Sequence, residues 1–358
     1  MQRSITIKQV EGRPGQVYYP LSVNAIPTPS PGPHDLIVSI HAAALNHRDL
    51  FLRQHLYPSP SFDVPLLADG YGVVTEVGSA AAKTWLGKAV ILTPGRGWKD
   101  APEGPETSAG YAILGGTKTC PIGTLQDSVC VDENEVEEAP SHLSPAEAAA
   151  LPLTGLTGWR ALVSKSGNAE KGRNILVTGI GGGVALNVLQ FAVALGINVY
   201  VTSGTDDKIE KAKAMGAAGG VNYKVDGWEK VLKMSLPSDR PFIDAIIDGA
   251  GGSVIAKATK LLKLGGVVVQ YGMTVGPKMD WTMSAVLSNL ELRGTTMGSR
   301  KEFKEMVAFV AQAQIKPVVS RVVTGLDNVK EIDGLFEDMR AGSQFGKLVI
   351  ERGTASKL

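Results

Sequence analysis

The sequence predicts an α/β fold in which a doubly wound parallel sheet is joined to a β-rich, barrel-like domain. Three observations predict it. Beyond residue 150, continuous apolar strands alternate with helices, the pattern of a parallel sheet covered on both faces. Before residue 150 the apolar runs are short, β-branched and bounded by glycine and proline, as the strands of small all-β domains are. Glycine supplies 42 of the 358 residues, above the usual ~7%. It shows no G-x-y period, so the excess belongs to turns and close-approach loops.

Taken in order, SITIKQV alternates, DLIVSIHAAAL follows the turn PSPGPHD, and GVVTEV and AVILTP come next. Residues 94–127 are mostly Gly, Pro and polar and read as one long excursion, a length that usually marks a functional or mobile loop. Ser144 before a Pro-Ala-Glu-Ala run reads as a helix N-cap with proline at the first helical position. Strands are then expected at 174–178, 198–202, 242–248 and 266–272, with helices at 183–195, 206–215 and 253–263. The last segment, from about 315 to 358, returns to strand, helix and strand: KPVVSRVV, NVKEIDGLFEDMRAG and KLVIER.

Composition excludes several classes. Lys and Arg number 36 and Asp and Glu 35, a net charge of +1. A broad electrostatic grip on nucleic acid or an anionic membrane needs a basic surplus, so neither partner is expected. Two cysteines, Cys120 and Cys130, make neither a disulfide scaffold nor a four-cysteine zinc site. The five histidines all lie in the first 142 residues, and no HExxH occurs. No apolar run reaches ~18 residues, and the start lacks an apolar leader. A soluble, cytoplasmic setting is expected.

The best-placed motif is ILVTGIGGGVALNVLQFAVALG. A strand runs into Gly179, Gly181, Gly182 and Gly183, then a helix, and Val184 in its first turn is counted with these glycines as a cofactor-binding residue. Such a turn meets a pyrophosphate at a helix N-terminus, and glycines let the backbone approach its oxygens. A strict GxGxxG is absent; the pattern is Gly179-x-x-Gly182-x-x-Ala185. An acid that would hold a ribose 2′-hydroxyl should end the next strand. That strand ends instead in Thr202, Ser203 and Gly204, with Lys208 one turn into the following helix. Asp206 and Asp207 sit at the helix start and look like dipole partners. The expected cofactor is therefore NADPH, read by Ser203 and Lys208, with an ordinary exposed lysine as the alternative reading of Lys208.

Over its whole length the chain resembles the zinc-free medium-chain dehydrogenases/reductases of the quinone-oxidoreductase-like group. The carrying residues are AALNHRDLFLRQHLY (43–57), VPLLADGYGVVTEVG (64–78), AALPLTGLTGWRAL (149–162), the glycine turn, KAKAMGAAGGVNY (211–223) and FGKLVIE (345–351). The resemblance implies a GroES-like catalytic domain over 1–150, completed by 315–358, and a Rossmann cofactor domain over 151–314, with an active site between them and a homodimer formed through the cofactor domain. It implies that Thr157 lies near the nicotinamide, that Tyr223 joins Ser203 and Lys208 around the 2′-phosphate, and that Gly249 and Gly272 fall at ligand-binding strand ends. The alcohol-dehydrogenase branch holds zinc at positions matched here by Asn46, Ala68-Asp69 and Leu153, and its structural-zinc lobe falls where only Cys120 occurs. Asn46, Ala68 and Leu153 are not usual zinc ligands, so no metal is expected.

Without a metal, hydride transfer needs positioning and a group that stabilises the developing anion. Asn46 could donate its amide to a carbonyl oxygen, or make a structural bond in its turn. Tyr57 could donate a proton or close the pocket, and Tyr71 is a weaker version of it. His47 could donate, or belong to a polar cluster with Arg48 and Asp49. Asp49 and Arg53 are spaced for an intrahelical pair, Arg48 could meet an anionic substrate, and Cys120 could be an exposed thiol. The expected activity is NADPH-dependent reduction of a small conjugated carbonyl: a quinone, an enone or an enoyl thioester. The alternatives are a zinc-free carbonyl reductase or alcohol dehydrogenase, and an NADPH-binding protein with little turnover.

Overall fold

The computed structural model describes residues 1–353. The chain divides into two units, Met1–Leu153 together with the segment from Ser299 onward, and Thr154–Gly298.

In the first unit Gln2–Ile7 pairs antiparallel with Leu21–Ile26. A larger sheet runs Val319–Thr324, Lys347–Glu351, Asp35–Ala44, Asp69–Val77, Ala89–Leu92 and Val136–Glu138, with Ser128–Asp132 also laid on Asp35–Ala44. Its core holds Leu36, Val38, Leu66, Val90, Leu92 and Leu348, closed by Ile332, Leu335 and Phe336 of the helix Val329–Ala341. Register decides what meets at the sheet's end. Ala44 lies opposite Asp69 on one side and opposite Val349 on the other. Lys347, two residues before Val349, is thereby level with residue 46 and on the same strand face as Val349.

The second unit is a six-stranded sheet in the order Gly219–Asn222, Asn198–Ser203, Asn174–Val177, Ile243–Asp248, Leu262–Gln270, Glu291–Gly294. Every neighbouring pair is parallel. This is the doubly wound order in which the strand sequence reverses beside the first strand, where ligands bind.

The chain rejoins the first unit at Ser299, earlier than the expected 315. The helix Arg300–Ala313 is the reason. Ser299 and Glu302 form its capping box. The Arg300 amide donates to Trp98 O at 2.9 Å, and its guanidinium pairs with Glu137 at 2.6 Å. The excursion over 94–127 is partly ordered: Gly95–Arg96 pairs with Ala112–Ile113, and the Glu106 carboxylate accepts from the amides of Lys99, Asp100 and Ala101 at 2.6–2.7 Å. Ser144 caps Pro145–Ala149 in a capping box with Glu147. Among the described residues no helix is long and apolar enough to cross a membrane.

Candidate active site and cofactor turn

In the first unit the strand Asp35–Ala44 runs through Leu45 into Asn46, the N-cap of the helix His47–Arg53. Helix and strand end are held by buried charges. The Lys347 ammonium, its side chain 4% exposed, donates to Leu45 O at 2.6 Å, Asn46 Oδ1 at 2.7 Å and Asp69 Oδ2 at 2.8 Å. An ammonium has three N–H donors, so each has an acceptor. Asn46 Nδ2 donates to Asp69 Oδ2 at 3.0 Å, and the Leu153 amide donates to Asp69 Oδ1 at 2.8 Å. The Asn46 amide N–H is accepted by Asp49 at 2.8 Å. Asp49 is fully buried, and burial pushes its carboxyl up to about 6, against the opposing pull of Arg48 and the Asn46 N–H.

The residues picked from the sequence fall around this network. Asn46 is buried, and its side-chain amide is bonded to Asp69 and Lys347, long-range bonds and not the bond within its own turn that was the alternative. His47 does not join a cluster with Arg48 and Asp49. It is exposed and packs edge-on against Phe51, ring centroids 5.9 Å apart. Its imidazole pKa is nevertheless lowered, first by the surrounding protein and then by the Lys347 ammonium. Tyr57 is half-buried with the Arg48 guanidinium 4.7 Å from its ring centre, and Tyr71 packs against His41.

Two expectations fail here. Arg53 does not pair with Asp49: it is buried, bonds Asp333 at 2.6 Å and Tyr19 O at 2.9 Å, and stacks on Tyr18 and Phe336. A buried guanidinium needs several acceptors at once, and the neighbouring elements supply them better than one turn of its own helix. Cys120 is no exposed thiol either: it is 4% exposed, packed with Ala68 and Leu114, and burial raises its pKa.

Lys347 and Asp69 are the residues whose role sequence reasoning missed. The available signal was a lysine opening the otherwise apolar strand KLVIE. Zinc does not fit this donor set. Asn46, Ala68 and Leu153 offer no thiolate or imidazole, both Asp69 oxygens are engaged, and an ammonium already lies against them. Among the described residues no three His, Cys, Asp or Glu side chains come together as a metal would need.

In the second unit the strand Asn174–Val177 enters the glycine turn. Gly179 and Gly181 have φ of 64° and 125°, conformations that L side chains rarely adopt. Gly182 is the N-cap of the twelve-residue helix Gly183–Ala194 and makes no side-chain capping bond, so the first amides of that helix, at Gly183 and Val184, have no capping side chain. A Cβ on Gly179 would meet nothing within 4 Å, so its backbone faces open space. The turn is tied to the next strand by Gly179 N–H to Thr202 Oγ1 at 3.1 Å and Ile180 N–H to Thr202 O at 2.8 Å. A dinucleotide's pyrophosphate fits such an uncapped helix start.

At that strand's tip Ser203 is buried, and its carbonyl accepts the Tyr223 amide at 2.9 Å. A Cβ on Gly204 would come within 2.7 Å of the Tyr223 hydroxyl and 3.1 Å of Lys224 Cε, so Ser203, Tyr223 and Lys224 converge on one glycine. Lys208 is half-buried, its pKa lowered by burial and then by Lys211. Asp206 accepts from Asn222 at 3.0 Å and Asp207 pairs with Lys211 at 2.7 Å; both lie in the helix's first turn.

The remaining expected residues are placed as follows. Thr157 Oγ1 reaches Met297 Sδ at 3.5 Å. Gly249 donates to Thr178 Oγ1 at 3.3 Å, and Gly272 O accepts from Gln270. Between these sits fully buried Asp248, which the sequence did not single out; it accepts from Thr178, from the Gly251 amide at 2.7 Å and from Gln270 Nε2 at 2.7 Å. It clamps three strand ends around the turn.

Residues 32–141 match the alcohol dehydrogenase GroES-like domain and residues 183–312 the zinc-binding dehydrogenase domain. A zinc-type alcohol dehydrogenase-like protein, YogA, from Leptosphaeria maculans is 56% identical over 98% of this chain and all of its own. The chain belongs to the zinc-type alcohol dehydrogenase-like family of medium-chain dehydrogenases/reductases. It is thus an oxidoreductase with the family's fold, a GroES-like domain plus a Rossmann-type parallel sheet, and the family binds a nicotinamide cofactor. A solved NAD-dependent alcohol dehydrogenase superposes with a TM-score of 0.85 at 30% identity, covering 99% of this chain and 100% of that one. An acryloyl-coenzyme A reductase from Metallosphaera sedula is 26% identical over 92% of this chain and 95% of its own.

Proposed function

We propose that this member of the family is an NADPH-dependent, metal-free reductase of conjugated carbonyls: a quinone, an enone or an enoyl thioester. The observation that carries the reading is the Lys347–Asp69–Asn46 cluster, which stands where a Lewis acid's ligands would be needed and is chemically unfit to hold one. Reduction of a simple ketone places negative charge on one oxygen, and a metal normally stabilises it. Reduction of an enone spreads that charge into an enolate, which one or two hydrogen bonds can hold.

The glycine turn would hold NADPH, whose chemistry there would be a hydride for the β-carbon of a conjugated carbonyl. The chain's own residues then hold the enolate and return a proton. Asn46 has one Nδ2–H committed to Asp69 and a second one left for the oxygen. Lys347 bonded to Asn46 Oδ1 polarises that amide and makes the second N–H a stronger donor. Tyr57, whose hydroxyl makes no hydrogen bond with the described residues, serves as the proton donor. His47, its pKa lowered, is a neutral imidazole near pH 7, able to donate without adding charge.

NADPH over NADH is supported by the tip of the second strand. Ser203, the Tyr223 hydroxyl and the lysines Lys208 and Lys224 suit a 2′-phosphate, while the nearby acids are engaged elsewhere, Asp206 by Asn222 and Asp207 by Lys211. The acryloyl-coenzyme A reductase supports a conjugated substrate. The 30% identical NAD-dependent alcohol dehydrogenase supports the second reading, a zinc-free carbonyl reductase or alcohol dehydrogenase.

The test is NADPH oxidation with enones and quinones against matched saturated ketones. The conjugated set should exceed the ketones by at least about tenfold in specificity constant, roughly 1.4 kcal/mol of transition-state preference. Equal rates would transfer the assignment to the second reading.

A further inference from the structure

Arg48 is left unexplained by that reading. Its side chain is 6% exposed. Nη1 donates to Leu114 O at 2.7 Å and reaches Asp49 Oδ1 at 3.3 Å. Nε and Nη2 are both shut off from solvent and have no hydrogen-bond partner among the described residues. Burying two donors of a charged group without acceptors is costly, and a carboxylate 3.3 Å from Nη1 does not reach them. These two nitrogens form one edge of the guanidinium, two parallel N–H groups whose spacing matches the two oxygens of a carboxylate. The same side chain is the second residue of the helix that starts at Asn46, and it stacks on Tyr57. Of the groups against the guanidinium, Asp49 and Leu114 are fully buried while Tyr57 reaches solvent.

We propose that the Nε/Nη2 edge of Arg48 binds a carboxylate of the substrate, admitted by movement of the Tyr57 ring, so that the preferred substrates are conjugated carbonyls that also carry a carboxylate. The proposal rests on the conjugated-carbonyl reading for the substrate's other half, and stands apart from it in what binds here.

The probes are (E)-4-oxo-4-phenylbut-2-enoate and its methyl ester, titrated calorimetrically into the full chain with and without NADP+. The acid should bind at least about tenfold more tightly than the ester, the scale of one charge-assisted bidentate contact. Arg48→Met should abolish the difference, and Arg48→Lys, which keeps the charge but lacks the paired N–H groups, should restore at most part of it. Circular dichroism melting identifies any variant that has not folded, and Arg48→Lys then carries the comparison. Equal affinity of acid and ester, a preference that survives Arg48→Met, or no binding of the acid at millimolar concentration overturns the proposal. So does an equal loss of NADP+ affinity in Arg48→Met, which would assign the guanidinium to the cofactor. NADPH oxidation by both compounds without an acid preference would sink this inference and leave the conjugated-carbonyl reading standing. Preferential acid binding with no NADPH oxidation by either compound would do the reverse.

Discussion

Replacing Lys347 by methionine removes an ammonium while keeping most of the side chain's volume. In the native protein that ammonium lies 2.8 Å from a fully buried Asp69 and supplies hydrogen bonds to Leu45 O and Asn46 Oδ1. In the variant Asp69 keeps the amides of Leu153 and Asn46 but loses the one cation paired with it among the described residues. Breaking a buried pair from one side costs roughly 3–5 kcal/mol, because the remaining charge stays desolvated. Removing both partners in favour of apolar groups is often neutral, since two desolvation penalties vanish together with the attraction. Lys347→Met should therefore lower the Tm of the first unit by roughly 6–20 °C, taking 2–4 °C per kcal/mol for a unit of about 200 residues. Lys347→Met combined with Asp69→Leu should recover most of that loss. Scanning calorimetry of wild type, both single variants and the double variant closes the cycle. A Lys347→Met protein within about 1 kcal/mol of wild type, or a double variant whose losses simply add, would refute the reasoning.

Asp49 predicts a pH dependence. Its folded pKa of about 6 lies above the ordinary 3.8, so the folded state binds the proton more tightly. The Asp49 contribution to stability is then most favourable below about pH 4, falls as pH rises through the 4–6 window, and carries its full penalty above 6, about 3 kcal/mol. Asp49→Asn should flatten urea midpoints in that window relative to wild type; parallel curves would contradict the assignment. Lys208→Ala should weaken NADPH binding by roughly tenfold or more and leave NADH nearly unchanged, as read by fluorescence titration; a wild type that prefers NADH would overturn the cofactor reading. Elemental analysis of purified protein should find well under one zinc per chain, with activity indifferent to chelators, and stoichiometric zinc would refute the donor-set argument.

The parts of the fold that were legible in the sequence are those with long local patterns. The strands Asn174–Val177, Asn198–Ser203 and Ile243–Asp248 are apolar runs punctuated by helices, and the glycine turn announces itself. The two edge strands, Gly219–Asn222 and Glu291–Gly294, were not read. GGVN and ELRG carry no apolar run, and only the ladder offered by their neighbours makes them strands. The helix Trp228–Met234 buries only Glu229 and Leu232, too thin a stripe to register as a period. The site divides the same way. Asn46, His47 and Tyr57 are candidates that one local stretch, NHRDLFLRQHLY, is enough to suggest. Lys347 meets Asn46 across 301 positions of sequence, through strand register that no window of residues contains. Asp69 reads from its sequence neighbours only as a candidate metal ligand, because nothing near it in sequence reveals the cation that claims it.

The central claim is that an amide polarised by a buried ammonium stands in for a metal and directs reduction to a conjugated bond. It is tested most directly by following the label from NADPH deuterated at the transferred position into an enone, with product analysis by nuclear magnetic resonance. Deuterium is expected on the β-carbon of a saturated ketone, with a fall in kcat and no loss of NADPH affinity in Asn46→Ala. Deuterium on the carbinol carbon of an allylic alcohol would contradict it.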